Sequence, residues 1–348
     1  MPTGSKPDSP KQLQTKNRIA TMSDVAKMAG VTTMTVSRAL RTPEAVSEKT
    51  LAKIQDAIYS SGFVLNYAAR SLVSQRSQII VALFPTMMNS VFSGTMEELS
   101  RQFSANGYNL LLGETSFDIE VEEKLLAGFI GWRPAAVILT GSEHTPRSRQ
   151  ILENSAAPVV ELWNLPKDPF DLAVGLSNRD AAYEMTMALH KWGYRRIAFM
   201  NLHYPQNDRS VDRSAGYHAA MAELGIEVTA DMEINVPFGM ESGSVGVMQI
   251  IKSKPAIDAI FCASDTLAVG ALMGAARAGL RVPEDIAIAG FGDVELASTV
   301  APTLTTVGVP RAQIGIETAR IIMERLKGTY SGPSVIDCGF SIIRRESA

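Results

Sequence analysis

From residue 78 onward the chain alternates short apolar runs with helical stretches, and this rhythm constrains the fold more than any other feature. The runs are Gln78 to Phe84, Tyr108 to Leu112, Ala135 to Leu139, Val159 to Leu162, Ile197 to Met200, Ala259 to Cys262 and Ile286 to Ala289. Several are rich in Val and Ile and carry no polar alternation, as expected of strands covered on both faces. Helix-like segments lie between them, at about Phe92 to Asn106, Asp180 to Trp192, Ser214 to Leu224 and Thr266 to Ala278. Strict alternation of the two predicts an α/β architecture with parallel sheets. At 348 residues the chain is also too long for one ordinary core, so two or three compact units are expected.

Before residue 78 the texture differs. Residues 1–76 carry eleven Lys and Arg against five Asp and Glu, a balance of +6 on a chain whose net charge is −3. A short basic segment on a long acidic body predicts that the segment meets a polyanion. Met1 to Ala20 are polar and read as a disordered leader rather than a secretory signal. No run reaches the roughly 18 apolar residues of a membrane span, so no membrane partner is expected and the cytoplasm is the expected compartment. Cys262 and Cys338 have no metal-ligand spacing and read as free thiols.

Thr21-Met22-Ser23-Asp24 has the form of a capping box and predicts a helix start. Val25, Met28 and Ala29 are its apolar positions, and Gly30 suits its left-handed end. Thr32 would cap a second helix with Val36 and Leu40 inward, and Pro43 follows it. Ser47 would cap a third, with Leu51, Ile54 and Ile58 at helical spacing before Gly62. Two short helices joined by a Gly-containing turn form a helix-turn-helix, whose second helix enters the DNA major groove. Thr33, Met34 and Arg38 would face base edges there, Arg38 suiting guanine and the two methyl-bearing side chains suiting thymine. Thr32 and Ser37 would hold phosphates, with Thr35 on the same helix turn.

Asp24-Val25-Ala26, Ala29-Gly30-Val31, Thr35-Val36-Ser37-Arg38, Val46 to Thr50 and Asn66 to Leu72 stand in the order of the lactose-repressor (LacI/GalR) family, and residues 21–76 resemble it. The family hinge has Pro-Asn where this chain has Leu65-Asn66, a departure that weakens the cap of the hinge helix. The resemblance implies that Leu72 is wedged into the minor groove, with Asn66 and Ala69 also at the DNA. It continues through Gly193 to Phe199, Arg213 to Tyr217, Ala287 to Phe291 and Pro302 to Val307. It implies a helix-turn-helix domain at 21–64, a hinge at 65–77, and a body at 78–348 with two lobes like periplasmic sugar-binding proteins. Crossings near Leu176, Thr306 and Ser334 would give one lobe 78–176 and 307–333, the other 177–306 and 334–348.

Ligands of such bodies bind between the lobes, beyond the carboxyl ends of the strands. By resemblance Arg213 holds the effector, Gly292 replaces an Asp that binds sugar hydroxyls, and Ser264 replaces a common Asn. Asp265 beside it reads as a structural cap. Losing an acidic group while keeping an arginine favours an anionic ligand. His144 to Arg147, Pro158 to Leu162 and Ile336 to Phe340 look like the gluconate-repressor branch, which adds His144 and Arg147 to the candidates. Strand alternation puts Glu161 and Trp163 on one face toward the cleft, with Asn89 and Phe92 on the first lobe's wall. Together these imply a homodimeric repressor, bound to a palindromic operator and released by gluconate or a ketogluconate, with no cofactor and no metal. A neutral sugar or a sugar phosphate as effector, or a co-repressor in place of an inducer, stays open. An enzyme lacks support, since no nucleophile elbow, P-loop or dinucleotide fingerprint is present. A transport binding protein would have no use for a helix-turn-helix. No trailing heptad helix follows the last strand-like run, so no tail-built tetramer is expected.

Overall fold

The computed structural model describes residues 20–64, 77–87, 91–252 and 257–348. The described residues fall into two compact units, one before the hinge and one after it. Asn66, Ala69, Leu72 and Asn89 lie outside the described residues.

The described residues of the first unit form three α-helices, α1 (Met22–Ala29), α2 (Thr33–Arg41) and α3 (Glu48–Ser61), with a 3-10 turn at Pro43–Ala45 between the last two. The Thr21 backbone N–H donates to the Asp24 carboxylate at 2.9 Å, while the Asp24 N–H donates to Thr21 Oγ at 3.4 Å, completing the capping box. Gly30 and Gly62 end α1 and α3 in left-handed backbone, with φ of 66° and 65°. Val25, Ala26, Ala29, Val36, Ala39, Ile54 and Ala57 form the core. Met28, expected inward, is 55% exposed. At about 100° per residue it sits roughly a quarter-turn away from the face that Val25, Ala26 and Ala29 define.

The second unit contains two six-stranded sheets. The first holds β1 (Ile79–Phe84), β2 (Asn109–Glu114), β3 (Ala136–Thr140), β4 (Val159–Leu162), β5 (Leu172–Gly175) and β11 (Val335–Asp337). The second holds β6 (Ile197–Leu202), β7 (Glu233–Val236), β8 (Ala259–Cys262), β9 (Ala287–Gly292), β10 (Thr305–Gly308) and β12 (Ser341–Ile343). Orders are β11-β5-β4-β3-β1-β2 and β12-β10-β9-β8-β6-β7, the same pattern repeated. Every pairing is parallel except that of β12 with β10.

Helices cover the sheets: α4 (Ser93–Ala105), α5 (Ile119–Ile130), α6 (Pro146–Glu153), α7 (Asn178–Lys191), α8 (Asp208–Glu223), α9 (Met240–Ile250), α10 (Asp265–Arg277), α11 (Glu295–Thr299) and α12 (Arg311–Lys327). α7 packs on α8, α9 on α10 and α4 on α12. The chain passes between sheets after β5, after β10 and after β11. The last two crossings come slightly later than Thr306 and Ser334, because β10 stays paired with β9 through Gly308 and β11 pairs with β5 through Asp337.

Candidate functional sites

On α2 the buried positions Val36 and Ala39 turn one side inward and leave Thr33, Met34 and Arg38 exposed together, Met34 at 72%. Thr35 and Ser37 are half-buried beside them. Thr32 is the N-cap, its Oγ accepting from the Thr35 N–H at 3.2 Å. The first turns of α1 and α3 carry Asp24 and Glu48, whereas that of α2 carries no acid. The positive end of the α2 dipole is therefore not offset by a local carboxylate, as suits an approaching phosphate.

Between the lobes, α8 supplies the central cation. Arg213 is buried, donates from one terminal nitrogen to Asn178 Oδ1 at 2.7 Å, and lies 4.8 Å over the Phe291 ring. Its Nε has no hydrogen-bond partner. Burial, reinforced by Arg209, lowers its pKa to about 9, so it remains charged at neutral pH. One turn earlier Arg209 is also buried but committed, donating to Asp208 at 3.0 Å. Burial pushes the Asp208 carboxyl up, but Arg209, Asn164 and Ser142 outweigh it and hold the group below its usual range.

The first lobe contributes a different cluster. His144 Nδ1 meets Glu122 at 2.6 Å and its Nε2 meets Glu161 at 3.2 Å, all three side chains buried. Burial lowers the imidazole pKa, yet the two carboxylates more than reverse this and raise it to about 9. The other Glu161 oxygen accepts from the Phe170 N–H. Glu161 is thus occupied within its own lobe. Trp163 does not follow it by strand alternation, because β4 ends at Leu162 and Trp163 takes left-handed backbone with φ 72°. Its ring meets Phe92 edge-on at 4.8 Å, and its Nε1 has no partner.

Ser264 caps α10 by accepting from the Leu267 N–H. Asp265 accepts from the Thr306 hydroxyl at 2.5 Å and the Val294 N–H at 2.8 Å, and burial pushes its carboxyl up to about 6. Gly292 has φ 135°, and a Cβ there would lie 2.7 Å from Val91. An acid at this position would be both strained and crowded. Arg147 stands apart from the buried groups, its side chain 70% exposed and 3.7 Å from Glu123.

The lobes meet directly. Phe117 of the first stacks on Tyr204 of the second, with ring centroids 4.5 Å apart. Beside them a gap lined by residues such as Glu122, Gly141, Asn207 and Arg209 measures only about 20 Å³. That is room for about one water. A larger hollow of about 890 Å³ runs along α4, α10 and α12, and neither Arg213 nor Trp163 lines it. The unpartnered buried donors Arg213 Nε and Trp163 Nε1 line neither space.

Arg209, Asp208, Asn164, Asn178 and Glu122 were not singled out from the sequence. The signal was present in part: Asp208-Arg209 and Asp212-Arg213 repeat an acid–base pair at a spacing of four, which puts both pairs on one helix face.

Residues 21–66 match the model of bacterial regulatory proteins of the lacI family, and residues 186–348 match a periplasmic binding protein-like domain. The HTH-type transcriptional regulator GntR of Escherichia coli strain K12 is 34% identical over 94% of this chain and 98% of its own. The regulator of the same name from Pseudomonas aeruginosa is 32% identical over 94% and 95%. The crystal structure of a LacI family transcriptional regulator from Silicibacter pomeroyi superposes with a TM-score of 0.86 at 30% identity, covering 94% of this chain and 99% of that one.

Proposed function

Because the chain belongs to the LacI family of bacterial regulatory proteins, we propose that it is a transcriptional repressor released from its operator by a small sugar acid such as gluconate or a ketogluconate. Like its relatives it is a regulator rather than an enzyme. The observation that carries the ligand class is Arg213, a buried guanidinium whose Nε has no partner, on a cleft wall where Gly292 presents no side chain. A fixed guanidinium satisfied on one side only suits a carboxylate. Arg209 is already paired with Asp208, so one uncommitted cation remains, which fits a monocarboxylate better than a phosphate. Trp163 Nε1 and Asn207 Oδ1, a donor and an acceptor without partners, fit hydroxyls of the same molecule.

Thr33, Met34 and Arg38 read the operator, Thr32, Thr35 and Ser37 position the helix on phosphates, and Asn66, Ala69 and Leu72 serve the minor groove. The working form is a homodimer, whose two-fold matches the two half-sites of a palindromic operator. Calorimetric titration with gluconate, 2-ketogluconate and glucose tests the ligand class. Binding of an acid at micromolar to low millimolar concentration is expected. Binding of glucose with no response to either acid would overturn it.

A further inference from the structure

We propose that Asp208 is an interlobe latch, and that Asn164 ties its closing to the occupancy of Arg213. The first lobe forms a cradle of donors: the Ser142 N–H and Oγ–H each reach one Asp208 oxygen at 2.8 Å, and Asn164 Nδ2 reaches the same oxygen at 3.0 Å. The other Asp208 oxygen accepts from its own lobe, from the Arg209 N–H at 2.8 Å and its guanidinium at 3.0 Å. One carboxylate thus joins the two lobes with its acceptor capacity filled.

Asn164 is the node. Its Nδ2 also donates to Asp212 at 2.8 Å, and its Oδ1 accepts from Asn178 at 3.3 Å. Asn178 in turn accepts from Arg213 and donates to the Trp163 carbonyl at 2.8 Å. A continuous chain of hydrogen bonds therefore runs Ser142–Asp208–Asn164–Asn178–Arg213, crossing the lobe boundary three times. Asp208, Asp212 and Arg213 all ride on α8, so a ligand that draws Arg213 into place also carries the latch toward its cradle. These protein–protein bonds between the lobes favour the closed form by themselves, so that an effector needs less differential affinity of its own to populate it.

The inference rests on the proposed ligand reading for its solution test, and an amide-exchange measurement keeps the two separable. In the full-length protein, Asp208→Asn is expected to raise the gluconate concentration for half-release of operator DNA about tenfold, with operator binding no weaker without gluconate. Ser142→Ala, which removes one donor and leaves every charge paired, should raise it two- to threefold. Exchange of the Ser142 amide should be faster in Asp208→Asn than in the parent, with and without gluconate. If the parent ignores gluconate while the exchange difference persists, the ligand reading fails and the latch stands. Equal Ser142 exchange in parent and variant, or an unchanged half-release point in both variants of a gluconate-responsive parent, would overturn the latch.

Discussion

The two lobes repeat one strand order but treat their buried charges in opposite ways. In the first lobe, His144 sits between Glu122 and Glu161, and Glu161 is further satisfied by a backbone N–H. In the second, Arg213 keeps an unpartnered nitrogen and shares α8 with Asp208, which reaches across the boundary. The first cluster pairs its histidine with two carboxylates, whereas the second leaves one buried guanidinium nitrogen without a partner. Equivalent folds thus differ in what they leave unsatisfied, the first lobe pairing its buried charges and α8 of the second keeping a donor without a partner.

That contrast breaks most visibly at the two central cations. Arg213→Met should weaken effector binding by a hundredfold or more, about 3 kcal/mol, because the group it serves would enter the cleft uncompensated. Operator binding in a mobility-shift assay should survive. His144→Ala should act on folding instead, costing about 3–5 kcal/mol in urea denaturation, since it leaves Glu122 and Glu161 buried without their shared cation. The same residue makes a pH prediction. Its folded pKa of about 9 lies above the 6.5 of a free imidazole, so its stabilisation is complete below pH 6.5 and is lost as pH rises through 9. The difference in stability between the parent and His144→Ala should shrink over that window. A constant difference would mean that the histidine is neutral in the folded protein.

Smaller effects sharpen the picture. Gly292→Ala should cost about 1–3 kcal/mol, through strain at positive φ and contact with Val91. A neutral result in thermal unfolding would show that this wall yields. Thr32→Ala removes the cap of α2 and should cost about 1 kcal/mol in the first unit, read as a lower melting temperature of that unit.

What the sequence made legible follows from how local each signal is. The caps Thr21, Thr32 and Ser47 and the stops Gly30 and Gly62 act within four residues, so the three helices emerged in place. Strands such as Val159–Leu162 and Ala259–Cys262 did as well, because both faces are buried and the apolar run has sharp ends. Strand alternation does not govern Trp163, since β4 ends one residue earlier and a left-handed residue there sets the side chain's direction, which no pattern announces. Met28 failed for a related reason, an apolar residue accepted on type rather than angle. The latch was hidden for the opposite reason. Ser142, Asn164 and Asp208 are far apart in the chain, and only the fold of two lobes brings them together.

The most direct test of the central claim is fluorescence anisotropy of a labelled DNA fragment from the region flanking the protein's own gene. The parent and Arg213→Met would be titrated with gluconate, 2-ketogluconate and glucose. Release of the parent by an acid but not by glucose, with the variant bound throughout, is the predicted result. Release of both proteins at the same acid concentration, or of the parent by glucose alone, would contradict the assignment of Arg213 as the reader of a sugar acid.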